Sequence, residues 1–359
     1  MSRPRLPNAT EILPYLERID QGRWYSNFGP LVQALERRLA ERFGPQAHVV
    51  TAVNATQALT LALQAMHLPP GALCAVPAWT FVATAHAVAA AGLTPWFLDV
   101  TEEDWALTSG ELETQLASAP GPVAAVVVVA PFGRAAPVDA WLDLQRRTGL
   151  AILIDAAAGF DTARDPRIPT VVSLHATKVL GAGEGGFLAT DDASLAGRVR
   201  ELTTYGFRGS REAQVTATNA KLSEYGAAVG LAALDRWEVD RVRWMAAAQA
   251  MRIALAGLGQ VSFQPGWGVR WITSVCVVSF SHPVADRVAA GLHERGVDSR
   301  AWWGKGCHAS PAFGDLPRTD LSRTERLAAS TLGLPFAIDL TTEDVSRLAD
   351  ALCEALSTC

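Results

Sequence analysis

The run Ser173-Leu174-His175-Ala176-Thr177-Lys178, followed by four glycines between residues 181 and 186, sets an amine at the mouth of an apolar strand. The chain has 31 Lys plus Arg, of which only Lys178, Lys221 and Lys305 are lysines. Arginine serves equally well as solvated charge, but only lysine readily sheds its proton to act as a nucleophile or base. A lone loop lysine is ordinarily just a surface charge, so its neighbours must decide what Lys178 does.

Those neighbours need a frame. The apolar runs at 48–53, 73–77, 95–100, 123–130, 151–157 and 170–175 are continuous rather than alternating. They predict strands buried on both faces, as parallel sheets with helices on each side require. Helices are predicted over 55–67, 80–91, about 109–118 and 137–148, the third opened by a capping box of Thr108 and Glu111. A further strand lies in Gly-Gly-Phe-Leu-Ala-Thr-Asp-Asp (185–192), before a helix beginning near Ala193. From about 222 to 255 the pattern is mostly helical, and a strand at 271–280, a helix at 283–295 and a terminal helix follow. The fold class expected is α/β: a large, mostly parallel α/β/α sheet domain over residues 1–240 and a smaller C-terminal α+β domain over 241–359.

In an open α/β sheet, ligands sit beyond the carboxyl ends of the strands. After the first strand come Asn54, Ala55 and Thr56, opening a helix whose free N–H groups suit a phosphate. Trp79 follows the second strand, Asp155 ends the fifth, and Ser173, His175 and Lys178 follow the sixth. A phosphate cradle, an aromatic plate, a carboxylate and a lysine at one edge fit pyridoxal 5′-phosphate (PLP). Lysine bonds the aldehyde as a Schiff base, and the carboxylate keeps the ring nitrogen protonated so that the ring can act as an electron sink. Singly, each residue reads as a helix cap, a core aromatic or a turn carboxylate. Their order and strand-end placement favour the cofactor.

These segments resemble the PLP-dependent nucleotide-sugar aminotransferases of the DegT/StrS family, of fold type I. The resemblance covers roughly residues 20–340 and is carried by "PAWTFVATAHAV", "DAAAG", "SLHATKVLGAGEGG", "NAKLSEYGAAVG" and "TERLAASTLGLP". It implies Lys178 as the cofactor-bonding lysine, Asp155 as the ring-nitrogen partner and Trp79 as the stacking aromatic. Ala55, Thr56 and Ser173 would hold the phosphate, and Asn219 would reach the cofactor phosphate of a partner subunit, so that a homodimer with shared sites is expected. It also implies glutamate as amino donor and places His308 near a keto-sugar substrate. A lysine at 178, rather than histidine, sets the chain apart from dehydratase relatives. The chain departs from the usual pattern at Ala55, where glycine is common, at Ala158, where glutamine is common, and at Lys221, where arginine is common. Lys305, between Gly304 and Gly306 after two tryptophans, is a candidate ligand for a substrate diphosphate, against the ordinary reading of a solvated loop lysine. Two rivals stay open here: an aminotransferase of a non-nucleotide ketone or cyclitol, and a PLP-binding regulatory homologue without turnover.

Bulk properties narrow the class. A formal charge of −5 and pI near 5.8 offer no basic face for nucleic acid. The N-terminus is charged and broken by prolines, so no secretory signal is expected. The uncharged stretch 81–98 is interrupted by Gly92 and Pro95 and reads as a short helix and a strand, not a membrane span. Five cysteines without a CxxC, and seven histidines without an HxxxH, support neither a disulfide framework nor a metal site. A cytoplasmic enzyme is the expectation.

Overall fold

The computed structural model describes residues 3–358, so that Cys359 lies outside them. Two helices left unassigned above open the chain, α1 (Ala9–Gly22) and α2 (Pro30–Ala40). Asn8 and Glu11 form a capping box at the start of α1. Helix α2 begins with Pro30 after Gly29, which has no side chain to cap it. Its exposed donors are met from far along the chain: Leu31 and Val32 N–H donate to the buried carboxylate of Glu224 at 2.8 and 2.9 Å.

Strand and helix then alternate: β1 (His48–Ala52), α3 (Ala55–Ala65), β2 (Leu73–Pro77), α4 (Val82–Ala90), β3 (Thr94–Leu98), α5 (Ser109–Gln115), β4 (Val123–Val129), α6 (Val138–Thr148) and β5 (Ala151–Asp155). Next come β6 (Thr170–Ser173), β7 (Gly186–Thr190), α7 (Ala193–Leu202) and the 31-residue α8 (Glu224–Ala254). Residue 240 falls inside α8. Beyond it lie β8 (Val261–Phe263), β9 (Cys276–Phe280), α9 (Ala285–Glu294), α10 (Ser322–Ser330), β10 (Thr331–Leu334) and α11 (Thr342–Ser357).

The large sheet has the order β1-β7-β6-β5-β4-β2-β3, parallel everywhere except that β7 runs antiparallel to both neighbours. Continuous apolar runs report burial on both faces, not direction. β7 returns from β6 through a twelve-residue loop without a crossover helix, which forces it antiparallel. Alternate residues face opposite layers, as a period of two dictates. Val126 and Val128 of β4 join the core shared with α1, α2, α6 and α8, whereas Ala125 and Val127 join that of α3, α4 and α7. The small sheet, β10-β9-β8, is antiparallel. The strand expected over 271–280 starts only at Cys276, because the preceding backbone is tied elsewhere: Ile272 N–H donates to Asp161 and Trp271 bridges Trp267. Among the described residues, no helix is long and apolar enough to cross a membrane.

Candidate active site

The loop joining β6 to β7 carries Lys178 and is closed on itself by backbone bonds. Leu174 N–H donates to Gly185, Ala176 N–H to Gly183, Ala182 N–H to Leu174 and Lys178 N–H to His175, at 2.7 to 2.9 Å. Gly183 (φ 89°) adopts the left-handed backbone that glycine alone enters without strain. His175 Nδ1 lies 2.8 Å from the Thr177 hydroxyl and accepts Thr177 N–H, which braces the turn below the lysine.

Lys178 is partly buried and Asp155 buried; Asp155 ends β5, and Lys178 follows the carboxyl end of the adjacent β6. Burial lowers the pKa of the Lys178 amine below the ordinary lysine value, and the Asp155 charge only partly offsets it. Burial likewise raises the Asp155 carboxyl, opposed by the Thr84 hydroxyl, the Ala157 N–H and the Lys178 charge. Thr84 Oγ1 donates to Asp155 Oδ2 at 2.8 Å, and Ala157 N–H donates to Oδ1 at 3.1 Å. An amine biased toward its neutral form beside a held carboxylate is suited to nucleophilic and proton-transfer chemistry.

A phosphate cradle lies alongside. Asn54 caps α3 by accepting Gln57 N–H at 2.8 Å. Among the described residues, the Ala55 and Thr56 N–H groups have no hydrogen-bond partner. Gly186 is pressed against them: a Cβ there would meet the Ala55 nitrogen at 2.5 Å. Ser173 pairs with Gly186 across the sheet, and its hydroxyl accepts His175 N–H at 3.2 Å, leaving its own proton to donate. Two free helix donors, a hydroxyl and a side-chain-free approach meet at one point, which fits a dianionic phosphate. The residues present therefore fit PLP.

Trp79 reaches the same place through its neighbour, since Thr80 bonds Thr84, which bonds Asp155. It is buried, its indole N–H has no partner, and Trp303 meets it edge-on at 5.3 Å. Trp303 also stacks on Phe132 at 3.9 Å, so the C-terminal segment brings its own aromatic to the site. Cys307 N–H donates to Ala78 at 2.8 Å and docks the buried His308 beside Trp79's strand end. Burial lowers the His308 pKa, and its Nδ1 has no partner. Lys305 and Asn219 are exposed. Asn219 precedes α8 rather than opening it: it bridges Thr204 and accepts a hydrogen bond from Lys221. Thr80 and Thr84 are the site neighbours that sequence reasoning missed. Two threonines four residues apart, one just before an otherwise alanine-rich helix and one inside it, were the available signal.

Residues 8–353 match the DegT/DnrJ/EryC1/StrS aminotransferase family. The protein Rv3402c of Mycobacterium tuberculosis is 30% identical, covering 98% of this chain and 89% of its own. The dTDP-3-amino-3,4,6-trideoxy-alpha-D-glucose transaminase of Streptomyces venezuelae is 31% identical over 94% of this chain and 89% of its own. A solved structure from Bacillus cereus, assigned as a PLP-dependent aminotransferase, superposes with a TM-score of 0.92 at 26% identity and covers 98% of each chain.

Proposed function

The chain belongs to the DegT/DnrJ/EryC1/StrS aminotransferase family and is a PLP-dependent aminotransferase of fold type I; from that premise we propose that it aminates the keto group of a nucleotide-activated sugar with glutamate as donor. One observation carries the catalytic part: a partly buried amine on a self-closed loop, close enough to the buried Asp155 carboxylate for each to feel the other's charge, at the same sheet edge as the free N–H groups of α3. The acceptor class is supported by the activity for which the Streptomyces venezuelae relative is named.

Bound PLP supplies an electron sink for the donor's α-carbon. Around it, Lys178 Nζ holds the cofactor and then serves as the base and acid that moves the donor's α-proton. Its burial favours the neutral amine that this role needs. The Asp155 carboxylate would pair with the ring nitrogen and keep a proton on it. Ala55 N–H, Thr56 N–H and the Ser173 hydroxyl hold the phosphate, and Trp79 lends an apolar plate and excludes water. His308 and Lys305 belong to the acceptor side, His308 near the keto group and Lys305 on the diphosphate.

Residues 1–240 form the cofactor-binding domain in this reading, and residues 241–359 close over the acceptor. The working unit is a cytoplasmic homodimer in which Asn219 serves the neighbouring site. An exposed aromatic strip around Asn219 supports that assembly: Tyr25 stacks on Tyr225 at 6.2 Å, and Lys221 lies over Tyr205 at 4.8 Å.

Borohydride reduction of the PLP-loaded protein, followed by peptide mapping, should place the pyridoxyl mass on the peptide containing Lys178. Its appearance on Lys221 or Lys305 would remove the assignment. Glutamate alone should convert the bound cofactor to its amine form, and nucleotide-linked keto sugars should restore it. Restoration by free ketones or cyclitols, and not by nucleotide sugars, would overturn the acceptor.

A further inference from the structure

Helix α4 reads Val-Ala-Thr-Ala-His-Ala-Val-Ala-Ala, and its inward threonine is out of character. Thr84 is 1% exposed, as is Thr80 four residues earlier. A buried hydroxyl is costly unless bonded, and valine would fill the same shape without that cost. Both hydroxyls are bonded. Thr80 Oγ1 and Thr84 Oγ1 lie 2.9 Å apart, and Thr84 Oγ1 lies 2.8 Å from Asp155 Oδ2.

Donor counting fixes the direction of this chain. An ionised carboxylate only accepts, so the single Thr84 proton goes to Asp155. The Thr84 oxygen is then free to accept, and the Thr80 proton goes to it. The other carboxylate oxygen takes Ala157 N–H at 3.1 Å, so that each oxygen has one fixed donor.

We propose that Thr80 and Thr84 form a positioning relay that orients the Asp155 carboxylate and keeps it anionic for the cofactor's ring nitrogen. The proposal rests on the role given to Asp155 above. Burial works against the anion here, and the Thr84 hydroxyl is the foremost opposing influence, ahead of Ala157 N–H and the Lys178 charge. Lys178 is the charged group whose field reaches Asp155. Hydrogen bonds in series polarise one another in a low dielectric, so Thr80 acts through Thr84.

Thr84→Val, Thr84→Ser and Thr80→Val test it with readouts that packing alone would not move. In the cofactor-free protein, the Asp155 ¹³Cγ titration should shift to higher pH in Thr84→Val and less so in Thr80→Val. With ¹⁵N-labelled PLP, the ring-nitrogen signal should move toward its unprotonated position in the same order, and PLP affinity should fall by about tenfold in Thr84→Val. Thr84→Ser should restore all three. A wild-type titration and ring-nitrogen signal in Thr84→Val would overturn the relay, as would a Thr84→Ser variant that behaves like valine. Should Thr84→Val fail to fold, an unshifted Thr80→Val would overturn it equally. A wild-type protein that binds PLP but lacks a half-reaction would instead sink the functional reading.

Discussion

Lys178 sits where an amine is least comfortable, and the discomfort has a sign. Its folded pKa lies below the ordinary 10.5 because burial disfavours the ammonium. The unfolded chain therefore binds more protons between the lowered value and 10.5, and stability of the cofactor-free protein rises with pH across that window. Lys178→Met keeps the length of the side chain and removes the charge. Its cofactor-free form should melt higher than wild type below the lowered Lys178 value, with the gap closing as pH rises from there toward 10.5. Calorimetry of both proteins across that range checks this, and a lower melting point for Lys178→Met throughout would contradict it. Lys305 is the opposite case, an exposed cation with no catalytic burial. Lys305→Ala should raise KM for the sugar nucleotide roughly ten- to a hundredfold, the scale of a lost charge-assisted bond. The glutamate half-reaction should be unchanged, since the donor has no diphosphate. Steady-state kinetics on both substrates separates the outcomes, and equal losses on both would exclude the phosphate role.

The glycines divide into those that hold elements together and those that merely occupy them. Gly186→Ala would drive a methyl into the backbone of Ala55 at 2.5 and 2.6 Å, so β7 and the start of α3 must part. Stability should fall by about 1–3 kcal/mol, as overpacking does, and PLP affinity should fall with it. Gly197, inside α7 with nothing within 4 Å, is the control. Gly197→Ala should stabilise by about 0.5–1 kcal/mol and leave PLP affinity alone. Thermal melts and a PLP titration of both variants read the contrast, and equal affinities would remove Gly186 from the cradle. Sequence reasoning singled out Lys178 and Asp155 because each stands at or just past the end of an apolar run, a local signal. It could not find Thr84, whose partner is 71 residues away. It gave β7 no direction, because an apolar run encodes burial and not direction. Strand β9 came out five residues short for a related reason: Trp271, Ile272 and Val275 are apolar, but the Ile272 backbone is tied to Asp161, outside any ladder. Helices α1 and α2 went unassigned, and the distant Glu224 that caps α2 leaves no mark near it.

At the scale of the molecule, the exposed strip of Tyr25, Tyr205 and Tyr225, each nearly half accessible, is the surface expected to meet a second copy. Tyr225→Arg should shift sedimentation from dimer to monomer and release PLP together, since Asn219 would no longer reach across. A stable monomer retaining the cofactor would contradict shared sites. The contact between Gly186 and Ala55 also bears on how the protein is made. Strand β1 pairs only with β7, so the two halves of the phosphate cradle come from distant parts of the chain and meet only when the sheet closes. A chain still emerging from the ribosome has no cradle until β7 has been synthesised, however complete its earlier strands. PLP then binds the closed sheet and not its precursors, and each increment of free cofactor draws the folding equilibrium toward the finished molecule. Cells short of the vitamin precursor should accordingly accumulate less of this protein, not just less active protein.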